Sequence, residues 1–314
     1  MEKEVGPAAP DLESSGVPPK ESSVVQRWKQ NLTPTHADLI CLLLTFLTGL
    51  CDSSAYNAWS CFLGMQTGMN HRRSPASRKG RKVKKKKKHK KHKKAQSPRN
   101  TNYQKLTTLP QTTGNTIFLG LGASAQPHNK PWGWLKSLVS IAAFFVGAMI
   151  FSIVMRSVGS VRRGTLFVSF LVQTLLIVIA VALIEADLIP HTSADAALTG
   201  GELFLELIPI ALLAFQSAGG MTCSRALGYN EIPTVVLTSV YFDIASDPKI
   251  TDKPTANAKR NRRVGGVVCL LIGAIVGGWL SRSSGGMQSA LWMAAGLKFV
   301  AAIAWLFWKA APPK

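Results

Sequence analysis

The chain has 314 residues, 46% hydrophobic and 17% charged, with a formal net charge of +21. Soluble domains carry about 25% charged residues, so the low charge content, with long charge-free stretches, argues against a soluble enzyme. Nor does the net charge imply a nucleic-acid partner. The stretch from Met69 to Gly114 holds 17 of the 37 Lys and Arg and no Asp or Glu, which leaves only +4 for the rest of the chain.

Residues 1–35 are rich in Pro, Ser, Glu and Lys and lack apolar periodicity, so a disordered tail is expected there. No apolar run follows a basic start, so no cleavable signal peptide is expected and the first helix would act as an uncleaved signal. Six stretches then approach the roughly 20 apolar residues that cross a bilayer core. They are 38–57, 134–155, 165–184, 203–221, 264–280 and 288–308, with Asp52 in the first, Pro209 in the fourth and Lys298 in the sixth. The expected fold is therefore an all-α integral membrane protein of about six transmembrane helices, with the lipid bilayer as its first partner. Trp132 and Trp134 precede the second span, and Trp305 and Trp308 close the sixth, where indole rings favour the headgroup zone.

Loop charges set an orientation. Arg27 and Lys29, then Arg156, Arg162 and Arg163, then the basic residues between Arg225 and Arg263, and finally Lys309 and Lys314 all fall on one side of six spans. The other side receives Asp187, Asp195 and Glu202, with Lys130, Lys136 and Arg282 as scattered positives. Positive loops face the cytoplasm, so both termini are expected there, with the plasma membrane as the favoured location. The Lys-rich block at 84–94 breaks this rule, because it would sit in the first non-cytoplasmic loop.

That block separates two pieces of one string. Joined across it, Met65-Gln66-Thr67-Gly68 runs into Asn115-Thr116-Ile117-Phe118-Leu119-Gly120. With the segment from Leu44 to Asp52 in front, this resembles the YoaK-like family of membrane proteins of unknown function. In that family a first helix ending in Gly-x-x-Asp, here Gly49 to Asp52, leads to a Thr-Gly-Asn motif and an apolar Leu-Gly run. A looser second copy is formed by Gln216 and the run from Thr238 to Ala245, in which Ser239 stands where the pattern has Gly. The resemblance covers 37–308 apart from the block, and implies a topology but no activity. The block, 69–114, then reads as an insertion. One reading is a retained intron, since the codons of Gly68-Met69 and Thr113-Gly114 can encode splice boundaries. The other is a basic disordered loop that binds anionic lipid or acts as a nuclear localisation signal.

The remainder divides into two membrane repeats, 36–68 with 115–187, and 188–310. Each holds a helix, a short Thr-containing apolar segment and two further helices, so the second must enter the membrane from the opposite side. Inverted repeats of this kind build many secondary transporters, with the site at their interface near the midplane. The short segments are expected to be broken or re-entrant, because free backbone groups are tolerated at membrane depth only against protein or a water-filled cavity. Ordinary interfacial loops are the alternative. Candidate binding residues are Asp52, Gln66, Thr67, Asn115, Thr116, Gln216, Thr238 and Lys298. Asp52 and Gln216 are taken as corresponding positions in the two repeats. Lys298, at mid-span, needs a buried partner, with Asp52 favoured over Glu206. Glu185, Asp187 and Glu202 are expected at the interface, and Gly273-x-x-x-Gly277 suits close helix packing.

The five cysteines show no metal-ligand spacing and read as apolar packing residues. No His cluster, paired catalytic carboxylates, Ser–His arrangement or Walker motif supports an enzyme, and no cofactor is expected. Two functions remain. One is a transporter of a small solute or ion, with a proton carried on Asp52. The other is a non-transporting membrane scaffold or accessory protein. A polar cavity at the Thr-containing segments would favour the first, a sealed apolar interior the second. Neither implies a particular oligomeric state.

Overall fold

The computed structural model describes residues 23–64, 114–125, 132–189, 201–232 and 237–312. The basic block, Gln66 and Thr67 lie outside the described residues, as does the proposed splice junction at Thr113. Among the described residues the regular elements are helices: α1 (Ser23–Lys29), α2 (Asp38–Trp59), α3 (Asn115–Ala123), α4 (Gly133–Val158), α5 (Arg163–Glu185), α6 (Glu202–Leu205), α7 (Leu207–Ala226), α8 (Leu237–Ala245), α9 (Ala258–Leu280) and α10 (Gly286–Phe307). Six of them, α2, α4, α5, α7, α9 and α10, are long and apolar enough to cross a membrane. The protein is a multi-pass, all-α membrane protein.

The spans pair in a regular way. α2 packs chiefly on α9, α4 on α7 and α5 on α10, while the nine-residue helices α3 and α8 each lean on the long helix that follows. Small residues set the closest pairing. A side chain at Gly273 or Gly277 of α9 would run into the backbone of α2 at Phe46 and Leu50, and one at Gly49 would meet Leu270 and Ala274 of α9. α4 approaches α7 through Gly147, whose missing Cβ would lie 2.7 Å from the Phe215 carbonyl oxygen. α5 and α10 are joined by Phe170 against Trp305, ring centroids 6.0 Å apart. Phe145, Ile153, Ile275 and Phe307 stay exposed on the outside of the bundle, as expected for surfaces that meet acyl chains rather than water.

Two span boundaries differ from the sequence reading. The fourth span begins at Leu207, so Pro209 sits in the first turn, where its missing N–H leaves no intrahelical bond unmade. The fifth begins earlier, at Ala258, because the Asn257 side chain caps it by accepting from the Arg260 N–H at 3.0 Å. The Arg260 guanidinium then donates to the carbonyls of Ile250 and Asp252 at 2.6 and 2.7 Å and folds the preceding loop onto the helix start. In that loop the Asp247 carboxyl is held below the usual carboxylate range by the Lys249 backbone N–H first and the Asn257 amide second.

Residues 23–35, expected to belong to a disordered tail, are ordered. Trp28 packs edge-on against Phe167 at 5.6 Å. Leu32 is buried, and its N–H donates to the Val161 carbonyl at 2.9 Å. The Thr33 N–H donates to the Lys309 carbonyl at 3.0 Å, and the Ala311 N–H to the Asn31 carbonyl at 2.8 Å. The polar composition hid two apolar anchors, and the backbone around them bonds to the α4–α5 turn and to the C-terminal segment. These bonds gather the N-terminal segment, the α4–α5 turn and the C-terminal segment at one end of the bundle. Arg262 ties α9 into the same end, bonding Asp38 at 3.1 Å and Glu231 at 3.0 Å.

Candidate functional site

α2 stops at Ser60, whose left-handed backbone (φ 54°, ψ 32°) turns the chain out of the helix axis. Residues 61–64 then run without helical bonds inside the bundle. Such backbone must find partners when lipid is the alternative solvent, and three side chains supply them. Asp52, about two turns back on α2, accepts from the N–H groups of Leu63 and Gly64 through Oδ1, at 2.7 and 2.8 Å. Asn115, the first residue of α3, takes both backbone groups of Phe62: Nδ2 donates to its carbonyl at 2.7 Å, and Oδ1 accepts its N–H at 3.2 Å. Ser140 on α4 donates to the same carbonyl at 2.7 Å and accepts from Asn115 Nδ2 at 3.0 Å. The segment is thus fixed by α2, α3 and α4 together. Asp52, Asn115 and Ser140 are all buried.

Gly64 brings this segment against the second half of the chain. A Cβ there would lie 2.6 Å from Ser217 Oγ on α7 and 3.0 Å from Thr48 Cγ2 on α2, so a larger residue would push the segment off α7. Beside it lies a cavity of about 20 Å³ among α2, α7 and α10. Its polar lining is Thr48, Asp52, Gln216, Ser217 and Lys298, with Leu44, Leu47 and Ile177 among the apolar walls. The space is enough for a water molecule or a desolvated ion.

Lys298 is 3% exposed, and its ammonium donates to Gln216 Oε1. It bonds neither Asp52 nor Glu206, which corrects the pairing expected from sequence. Asp52 Oδ1 is turned toward the amides of residues 63 and 64, while α7 presents Gln216 directly to α10. Glu206, 1% exposed, instead forms an ion pair with Lys136 at the start of α4. Asp52 and Lys298 nevertheless line one cavity.

Of the eight candidate residues, the structure brings Asp52, Gln216 and Lys298 to the cavity and places Asn115 directly behind it as a support for residue 62. Thr116 does not join them. It is exposed on α3, because the buried face of that helix is set by Asn115 and Phe118. Thr238 is a residue of α8 whose side chain lies outside the described set, as do Gln66 and Thr67. Sequence reasoning missed Thr48 and Ser217, which look like ordinary helix residues. It also missed the buried chain in which Gln173 donates to Ser169 at 3.1 Å beside Cys223. Among the described residues no group of three His, Cys, Asp or Glu is placed to hold a metal ion.

Part of this arrangement sits in a stretch with a family signature. Residues 109–304 match the family described as Protein of unknown function (DUF1275). The chain belongs to the DUF1275 family. The match covers more than half of the chain and takes in α3 to most of α10, including Asn115, Gln216 and Lys298. α2 with Asp52 lies before it. No curated protein and no solved structure matches the chain. The DUF1275 family carries no stated activity, so the chemistry of the site must be read from the cavity itself.

Proposed function

We propose that this DUF1275 protein is a transporter of a small polar solute or ion, with its site in the cavity lined by Asp52, Gln216 and Lys298. One observation carries the reading: a carboxylate and an ammonium side chain line one small cavity among six apolar spans. Ionisable groups at that depth are expensive and mark solute or proton pathways. A sealed apolar interior, which a scaffold would have favoured, is not what surrounds residues 61–64. In the present closed arrangement the cavity admits a water or an ion, and opening on either side would expose Asp52 and Lys298 in turn. Asp52 is the proton carrier in this reading, and Lys298 with Gln216 the solute contact.

The proposal includes two inverted repeats. Exchanging the halves maps α2 with α9 onto α7 with α4, returns α5 with α10 to itself, and pairs α3 with α8. Laying Leu44-Thr45-Phe46-Leu47-Thr48 over Leu213-Ala214-Phe215-Gln216-Ser217 sets Thr48 over Ser217, and both line the cavity. This register replaces the equivalence of Asp52 with Gln216. We read 69–114 as an insertion in a YoaK-like protein; the family match begins at residue 109, shortly before the interrupted motif resumes at Asn115.

Orientation follows the positive loops, with the end holding Arg156, Arg162 and Arg262 in the cytoplasm. Ser157→Cys should therefore react with an impermeant thiol reagent from the cytoplasmic side, and Ser283→Cys from the outer side. The reverse pattern would overturn the orientation.

Flux is the direct test. Purified protein in liposomes should move at least one of protons, alkali cations, small anions or small polar solutes. Lys298→Met should reduce that flux at least tenfold while leaving thermal stability near its starting value or above it. A buried charge replaced by an apolar side chain of similar length is often neutral or stabilising, here offset by about 1–3 kcal/mol for the unpaired Gln216 oxygen. Flux unchanged in Lys298→Met and Asp52→Asn, or no flux across the panel, would overturn the transporter reading.

A further inference from the structure

α4 and α5 are joined at the basic end of the bundle by the short turn 159–162, yet α4 leans chiefly on α7 and α5 on α10. A groove of about 510 Å³ lies between them. Its walls include Val154 on α4 and Val168 on α5, with Phe215 of α7 as part of its floor. Along α4 it runs from Val158 to Ile150, about 12 Å of helix. At its basic end it is bordered by Trp28, Lys29, Arg162 and Thr165.

We propose that this groove binds one anionic phospholipid, with an acyl chain between α4 and α5 and the phosphate on the N-terminus of α5 between Lys29 and Arg162. The apolar walls suit a chain, since the bilayer surrounds the spans and an acyl chain is the material at hand. The headgroup end has three independent features. First, α5 starts without a side-chain cap; the Gln30 carbonyl takes the N–H of Arg163 at 2.9 Å, but no backbone carbonyl takes that of Gly164 or Thr165. A helix start with open amides attracts phosphate through its N–H groups and its dipole. Second, Thr165 is 8% exposed, and its buried hydroxyl has no hydrogen-bond partner. Thr165 is itself one of the residues that line the groove. Third, the charge there is of one sign. No Asp or Glu occurs between residues 22 and 37 or between 137 and 184, whereas Arg27, Lys29, Arg156, Arg162 and Arg163 all lie in these stretches. Basic pockets between spans on the cytoplasmic side are suited to anionic headgroups, and each basic side chain there adds roughly a factor of five in affinity.

The full-length protein in neutral detergent is titrated with phosphatidylserine, with phosphatidylcholine of identical chains, and with inorganic phosphate, and bound lipid is counted by native mass spectrometry. One equivalent of phosphatidylserine is expected, held roughly ten- to thirty-fold tighter than phosphatidylcholine, with no binding of phosphate alone at matched concentration. Arg162→Gln with Lys29→Gln should erase the preference, and Arg156→Gln, outside the groove, should keep it. Val168→Trp, which fills the groove, should abolish retention of phosphatidylserine. Should that variant misfold, Val154→Trp on the facing wall makes the same test. Equal affinity for the two lipids, a preference that survives the double variant, or phosphate binding as tightly as the lipid would each overturn the proposal.

Discussion

Asp52→Ala is expected to unfold the middle of the protein, whereas Asp52→Asn is expected to keep it folded. The carboxylate accepts the backbone N–H groups of Leu63 and Gly64, both of them buried. Alanine leaves two buried donors without partners, at about 1–3 kcal/mol each, so the loss is about 2–6 kcal/mol against a total stability of order 5–15. Asparagine still offers an oxygen at the position of Oδ1, and gives up only the extra strength of a charged acceptor, about 1 kcal/mol. A parallel test follows at Asn115. Asn115→Asp keeps an acceptor for the Phe62 N–H but loses the donor to the Phe62 carbonyl and to Ser140, so it should destabilise more than Asp52→Asn despite being as close in shape. Thermal unfolding in detergent, read alongside the monodisperse fraction, orders the three variants. Equal melting temperatures for Asp52→Ala and Asp52→Asn would show that the carboxylate does not hold residues 61–64.

The same pair separates structure from transport. Asp52→Asn removes the only titrating function at position 52 while preserving the backbone contacts. If Asp52 is the proton carrier, this variant loses pH-dependent flux with the fold intact, an outcome that a purely structural Asp52 would not give.

How much of this was legible beforehand depends on the kind of physical signal. The six spans were, because hydropathy sums over some 20 residues and no local detail can cancel it. Asp52 and Lys298 stood out because a charge in an apolar run is conspicuous wherever it points. Their partners were not legible. A charge in the sequence suggests an opposite charge, but burial rewards any well-placed dipole. α7 presents an amide, Gln216, where the sequence reading expected a carboxylate. Asn115 was found through the interrupted motif, yet its task is to pair with the backbone of one residue, Phe62, and no pattern of side chains announces that. Thr116 is the next residue of the same string, but a helix turns neighbouring residues about 100° apart, so the face that buries Asn115 exposes it. Trp28 and Leu32 were two apolar residues in a polar tail, too sparse for periodicity but enough to dock it.

Gly277→Ala and Gly278→Ala, adjacent residues of α9, should move stability in opposite directions. At Gly278 a Cβ meets nothing within 4 Å. Alanine there adds a methyl in open space and removes the helix penalty of glycine, so it should stabilise by up to about 1 kcal/mol. At Gly277 the new methyl would sit 3.1 Å from the Leu50 carbonyl carbon and collide with the carbonyl oxygen and with Ser53 Oγ. The obstacle is largely backbone of a spanning helix, so relief requires α2 and α9 to separate, and overpacking of this kind typically costs about 1–3 kcal/mol. Gly273 has the same relation to Phe46, where a Cβ would lie 2.9 Å from the carbonyl carbon. The two sites are one helical turn apart on one seam, so Gly273→Ala with Gly277→Ala should push the helices apart along two turns and deplete the folded fraction in detergent. The consequence reaches the cavity, because α2 carries Thr48 and Asp52 on the side facing α7 and α10 while α9 supports its other side. A small shift of α2 would therefore lower flux in Gly277→Ala beyond what the loss of folded protein explains. Matching melting temperatures for Gly277→Ala and Gly278→Ala would mean that the α2–α9 seam is looser than the glycine contacts require.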